Sequence, residues 1–253
     1  MIPPPGRQVL RFEAGGVPFA LPLAAVREIV PAGAGRGAPT GAVALAERLG
    51  LRGSPAFALH LVGEGLPVLL VDRMLGVGDL ADAEAFRLPE GAVAARPSPF
   101  TSALRFGEVL HLELSPLALA EVRPGPARSR PTSADVPAKG KELLAERGAL
   151  RLAFPLALVV QVVDGVRVSP VPLAPPGLRG LLYLGRALHP VWDAAALLGP
   201  AFPGDPRTAV VLDAGGTTAG LLVDRVLGIS EGEEGPAVRR PPWDVFLAPA
   251  EEG

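Results

Sequence analysis

Residues 69–76 read LLVDRMLG and residues 221–228 read LLVDRVLG, so seven of eight letters recur at a spacing of 152. A phrase repeated at long spacing marks a duplicated unit, and the fold has to be read around it. The approach to the phrase repeats as well. AFALHLVGEGLPVLLVDRMLGV (56–77) and TAVVLDAGGTTAGLLVDRVLGI (208–229) each run apolar, break at glycines and run apolar again. That pattern predicts a hairpin whose second strand ends in the repeated phrase.

Nearer the start of each unit, FALPLAAVREIV (19–30) lines up with LAFPLALVVQVV (152–163), placing Pro22 over Pro155, Val26 over Val159 and Val30 over Val163. The spacing there is 133, so the second unit holds nineteen more residues between the two landmarks, and GLRGLLYLGRALHP (177–190) is the additional block. The same spacing of 133 sets ELLAERGALRLAFP (142–155) against VLRFEAGGVPFALP (9–22). Taken alone, ELLAER is made of helix-favouring residues. Its counterpart is a strand, tight turn and strand, and the repeat assigns it the same conformation.

The rest of the signal is mostly strand: short apolar runs punctuated by glycine-rich turns, as in a barrel or sandwich. Helices are few. AVALAERLG (42–50) and DAAALLG (193–199) are the best candidates, each ending on a glycine suited to a C-terminal cap. SPLALAEV (115–122) reads as a short helix with Ser115 as cap and Pro116 in the first turn. Between the units, residues 123–141 carry four prolines and five basic residues and read as a Pro-rich linker.

Composition excludes several classes. The 253 residues are 49% hydrophobic and 20% charged with a net charge of −2, which is ordinary for a globular chain. Twenty-two arginines outnumber two lysines but form no basic stripe of the kind nucleic acid requires. Cysteine is absent, which removes disulfides, thiolate nucleophiles and cysteine metal sites and agrees with a reducing compartment. The start MIPPPGRQVLRF has no apolar signal core, and LAFPLALVVQVV is too short to span a bilayer. These features predict a cytoplasmic protein.

The order of blocks, an opening strand, FALPLAAVREIV, GLLYLGRALHPVWDAAALLG and a hairpin ending in GLLVDRVLGI, resembles the CheW-like domain of bacterial chemotaxis coupling proteins and of the CheA kinase. The resemblance covers about residues 8–122 and 142–248. It implies a mainly β fold of two CheW-like domains, each of two small β-barrels with one or two short helices. Domain 1 (8–122) would lack a central strand block. Domain 2 (142–253) would lack the C-terminal hairpin and helix and so leave a barrel edge for packing between repeats or for self-association.

The resemblance also implies protein partners: a chemoreceptor signalling tip and the regulatory domain of a CheA-type kinase. In the family a Glu in a V-x-E-I segment is paired with an Arg in an N-L-R-G segment near the receptor-binding surface. The first unit keeps Val26 and Glu28 but has no block to carry the Arg. The second has Gln161 for the Glu, and its YLGR puts Gly185 where the Arg belongs, with Tyr183 two positions before and Arg186 one position late. On a strand, a shift of one residue turns the side chain to the other face. Trp243, in RRPPWD, is singled out as a core residue or a binding anchor, Trp being a common anchor type.

Catalytic readings find little support. His60, His111 and His189 stand singly on apolar runs without the spacing of a metal site or a triad. DAGGTTAG (213–220) lacks the lysine of a phosphate cradle and reads as a hairpin turn. Asp72 and Asp224, each at a strand end and followed by Arg, read as turn residues or structural hydrogen-bond acceptors. The expectation is an adaptor with no catalysis, cofactor, metal, nucleic-acid partner or membrane insertion. The alternatives are a diverged scaffold serving motility or polarity machinery and, from another class, a β-barrel enzyme.

Overall fold

The structure, a computed structural model, describes residues 8–33, 41–63, 65–121, 140–197, 203–214, 216–231 and 238–239. Residues 123–139 of the expected linker and Trp243 lie outside them. The chain divides into two compact units. Residues 89–92 group with the second unit and Val171–Leu173 with the first.

Among the described residues the first unit holds ten strands: β1 (Gln8–Ala14), β2 (Val17–Pro22), β3 (Val26–Pro31), β4 (Ala42–Ala44), β5 (Phe57–Leu61), β6 (Val68–Val71), β7 (Arg73–Asp79), β8 (Glu84–Phe86), β9 (Phe100–Phe106) and β10 (Val109–Leu114). They form a six-stranded sheet in the order β7-β1-β2-β10-β9-β8 and a four-stranded sheet in the order β3-β5-β6-β4. The second unit has β11 (Glu142–Arg147), β12 (Leu150–Pro155), β13 (Val159–Val163), β14 (Leu178–Leu184), β15 (Ala187–Asp193), β16 (Thr208–Ala214), β17 (Thr217–Val223), β18 (Arg225–Ser230) and β19 (Val238–Arg239). Its sheets run β18-β11-β12-β19 and β13-β16-β17-β15-β14. The chain is mainly β, with two small sheets per unit, and ELLAER is strand β11.

The repeated phrase now has a physical reading, letter by letter. Its LLV segment is buried strand: Leu69 and Val71 in one unit, Leu221 through Val223 in the other. Its Asp accepts a hydrogen bond from the turn of the opening hairpin, Gly15 N–H to Asp72 Oδ2 at 2.7 Å and Gly148 N–H to Asp224 Oδ2 at 2.6 Å. Its Arg pairs across the ladder with a Glu, Arg73 with Glu13 and Arg225 with Glu146, both at 2.6 Å. Its Gly follows a bulge. Arg11 faces Gly76 while Phe12 faces Met74, and Leu144 faces Gly228 while Ala145 faces Val226, so Leu75 and Leu227 are the extra residues. The kinked backbone gives Gly76 a φ of 108° and Gly228 one of 146°, which side chains disfavour. Four functions in eight residues explain why the phrase varies at one letter only.

Below the clasp lies the apolar core. In the first unit Phe12, Phe19, Leu21, Leu59 and Leu69 are fully buried, with Phe12 and Phe19 stacked at 6.0 Å between ring centres. In the second, Leu152, Phe154, Val210, Leu212, Leu221 and Val223 form the corresponding cluster. Each strand pair β1–β2 and β11–β12 then runs into a short turn of helix, Leu23–Ala25 or Leu156–Leu158, entered through Pro22 or Pro155.

The helix readings meet mixed outcomes. Helix α2 (Pro116–Glu121) forms as expected, with Ala118 N–H donating to Ser115 Oγ at 3.3 Å. The helix read over 42–50 shrinks to one turn, α1 (Leu45–Arg48), because Ala42–Ala44 pairs in parallel with Val68–Leu70. Ladder hydrogen bonds to a buried strand outweigh the helical preference of alanine. DAAALLG likewise gives a short turn, Ala195–Leu197, following strand β15, and its last two residues lie outside those described.

The clasp and the ion pair beside it differ in strength. Asp72→Ala removes a charge-assisted bond to a turn N–H and is expected to lower stability by about 1.5–3 kcal/mol in chemical denaturation. Arg73→Ala removes a partner that is 64% exposed and is expected to cost under about 1 kcal/mol. Equal losses for the two variants would contradict this division of roles.

Candidate partner-binding surface

The two strands that follow the helical turns each carry a run of three consecutive exposed residues. Among the described residues, strands β3 and β13 each lie at the edge of their sheet, paired on one side only, to β5 and to β16. On β3, Val26 is half-buried, whereas Arg27, Glu28 and Ile29 are exposed. Glu28 faces His60 across the ladder, with a bulge at Arg27. On β13 the same bulge falls at Val160, and Val160, Gln161 and Val162 are exposed. Position by position the two edges match, but one carries two charges and the other none.

The additional block of the second unit forms the hairpin β14–β15, and β15 runs parallel to β17 with Val191, Trp192 and Asp193 facing Gly220, Leu221 and Leu222. Tyr183 is half-buried on β14, opposite Leu188. Gly185 and Arg186 lie in the two-residue turn, with φ of 58° and 68°, and both are exposed. This corrects the reading that placed Arg186 on a strand face. A left-handed φ is unfavourable for a non-glycine residue by roughly 1–2 kcal/mol, and at the hairpin tip it directs the Arg186 side chain into solvent.

Beneath this hairpin lies the arrangement that sequence reasoning missed. Arg147, at the end of β11, is a guanidinium with 1% of its side chain exposed. Its Nε donates to Asp193 Oδ1 at 3.0 Å and its Nη2 to Asp193 Oδ2 at 2.9 Å, a two-pronged pair. Its Nη1 donates to Asp224 Oδ1 at 3.2 Å and to the Pro203 carbonyl at 3.3 Å. Arg179, half exposed, adds a contact of 3.5 Å to Asp193 Oδ2. The hydrogen bond to Asp193 is the largest influence raising the Arg147 pKa above its ordinary value. For Asp193, burial is the largest single influence and opposes its charge, but Arg147, the Ala195 N–H and Arg179 together hold its pKa below the usual carboxylate value. The cluster joins β11, β15 and the β17–β18 corner of the second unit.

The first unit builds the same place differently. Ala14 stands at the hairpin position of Arg147, and Ala44 faces Leu70 as Asp193 faces Leu222. With no guanidinium to meet it, Asp72 Oδ1 is buried without a hydrogen-bond partner. The loop at residue 53 comes so near that a Cβ there would lie 2.7 Å from Asp72 Oδ2, which only glycine avoids. A sequence signal existed: a lone Arg and a lone Asp stand in the second unit where the aligned positions of the first hold alanine.

The histidines do not converge. His60 and His189 are half-buried on separate strands, and His111 is buried, its ring edge-on to Phe106 at 5.4 Å. Burial first, and then the charge of Arg11, lower the His111 pKa, so this ring is held neutral. Among the described residues no group of three or more His, Asp or Glu side chains could hold a metal ion. Within 213–220, Asp213 and Ala214 pair with Thr218 and Thr217 in the β16–β17 hairpin, and Asp213 Oδ1 accepts from Gly216 N–H at 2.8 Å. No helix among the described residues is long and apolar enough to cross a membrane.

Comparison with known proteins gives one family. Residues 143–240 match the model of the CheW-like domain. A solved structure, the scaffolding protein TtCheW from Thermoanaerobacter tengcongensis, is similar at 21% identity and a TM-score of 0.34, over 38% of this chain and 68% of that one. No curated protein sequence matches the chain.

Two measurements check the buried groups. Arg147→Ala strips the buried Asp193 carboxylate of its two-pronged partner, leaving it the Ala195 N–H and the half-exposed Arg179, and is expected to cost about 3 kcal/mol. Arg147→Ala with Asp193→Ala, the residue types of the first unit, is expected to cost clearly less than the sum of the single changes in a double-mutant cycle; additive losses would contradict the coupling. For His111 the folded pKa lies below the unfolded one, so its neutral form is fully tolerated above about pH 6.5 and stability falls as pH drops through that value toward the folded pKa. His111→Gln is expected to flatten this acid limb in unfolding midpoints measured between about pH 7 and 5; an unchanged slope would refute the assignment.

Proposed function

We propose, from the match of residues 143–240 to the CheW-like domain, that the chain is a tandem CheW-like scaffold working through protein contacts and without catalysis. The observation that carries this reading is the repetition of contacts. The Asp-to-turn bond, the Glu–Arg pair and the bulged glycine of the matched domain recur in residues 8–79, which supports a second, diverged copy. In this reading the copies are complementary in what they omit. The first has the short β4 beside β6 where the second has the β14–β15 hairpin, and the first carries β8–β9 beyond β10. Two units on one chain give bivalency, because tethering makes the second contact intramolecular, with an effective concentration on the order of millimolar for a short linker.

The partners in this reading are a chemoreceptor signalling tip and a CheA-type kinase, met through the edge strand bearing Val26 and Glu28 and the hairpin bearing Tyr183, Gly185 and Arg186. A second reading, a diverged scaffold of motility or polarity machinery, is favoured by one specific feature. The usual Glu and Arg pair is not retained within either unit, since Gln161 replaces the Glu and Gly185 the Arg. The protein would act in the cytoplasm in both.

Affinity capture of the tagged full chain from its native lysate separates them. The first reading predicts recovery of a chemoreceptor or a CheA-type kinase, reduced several-fold by Glu28→Lys together with Arg186→Glu, both exposed positions. Recovery of other assembly proteins with neither of these would move the assignment to the second reading.

A further inference from the structure

Strand β13 reads Val159-Val160-Gln161-Val162-Val163, a palindrome centred on Gln161. Among the described residues it is an edge strand, and its three central side chains are exposed, Val160 at 58% and Val162 at 42%. Proteins commonly protect such edges with charges, prolines or bulges, since unpaired backbone groups template further pairing. The matching strand β3 carries both a bulge and charges, at Arg27 and Glu28. On β13 the bulge at Val160 remains and the charges are gone.

We propose that β13 is a self-association site, pairing antiparallel with β13 of a second copy of this chain about a two-fold axis through Gln161. A two-fold interface brings one patch against itself, so each residue must suit its own symmetry mate. The palindrome meets that condition in residue type: Gln161 faces Gln161, and Val162 and Val163 of one copy face the bulged Val159–Val160 segment of the other. Residues 161–163 keep regular pairing to Ala209–Val211 on the inner side, so this part of the strand is an ordinary extended template. Strand β3 fails the same condition. Centred on Glu28, it would oppose two carboxylates and set Arg27 against Ile29, and like charges directly opposite are destabilising. The contrast separates β13 from its counterpart β3, and the palindrome commits the occupant to a strand identical to itself.

The absence of cysteine makes the register directly testable. Opposed residues of an antiparallel pair have Cα atoms about 4.5–5.5 Å apart, within the range of a disulfide. In the full chain, Gln161→Cys is expected to form a disulfide-linked dimer under mild oxidation, while Val109→Cys, 45% exposed in the first unit, stays monomeric under the same conditions. In sedimentation, the unmodified chain is expected to dimerise with rising concentration and Gln161→Lys to weaken the dimer at least tenfold, with its unfolding midpoint unchanged at concentrations where both chains are monomeric, because the residue is exposed. A chain that stays monomeric throughout overturns the proposal. So does a dimer that Gln161→Lys leaves intact and that Gln161→Cys does not cross-link, because its contact then lies elsewhere.

Discussion

In each unit a carboxylate that accepts a hydrogen bond from a turn N–H ties together segments far apart in the chain. Asp72 reaches Gly15 and Asp224 reaches Gly148, across 57 and 76 residues of chain. The backbone repeats the tie, with Asp72 N–H donating to the Glu13 carbonyl at 2.9 Å and Asp224 N–H to the Glu146 carbonyl at 2.7 Å. From that corner one sheet receives β1 and β7 or β11 and β18, and the other receives β6 or β17. The corner is where the chain passes from one sheet to the next, so its geometry fixes both registers. A one-residue slip there would turn every inward leucine outward.

The two units meet this constraint with different chemistry around the same acid. In the second, Arg147 uses the remaining oxygen of Asp224 and fastens β15 through Asp193. In the first, alanines take those positions, a close-packed loop at Gly53 covers the acid, and one oxygen goes without a partner. A buried ion pair contributes little net stability over an apolar replacement, but it demands a particular geometry. Its consequence here is positional: the hairpin β14–β15, whose tip carries Arg186, is anchored at its base by the Arg147–Asp193 pair.

Much of this was legible in the sequence because the repeat supplied a second instance of each ambiguous segment. ELLAER is helix-favouring by composition, and only its alignment with VLRFEA identified it as β11. The equivalence of Pro22 and Pro155 followed from the same alignment, and the hairpins before the repeated phrase followed from the repeat at a spacing of 152. Failures came where long-range pairing decides. Ala42–Ala44 is strand because a buried strand lies beside it, which no local preference encodes. YLGR read as strand through its last residue, but Leu184 pairs with Ala187, so Gly185 and Arg186 become the turn. Arg147 was passed over because an arginine on a strand is usually a surface residue; its two acidic partners lie 46 and 77 residues away.

Amide hydrogen exchange at Gly15 and Gly148 in the full chain reads the two clasps directly. If both units are built on the same acid-to-turn bond, both amides are protected well above the level of neighbouring turn amides, although each sits at the tip of a hairpin. Exchange of either amide at the rate of an open loop would contradict a shared architecture.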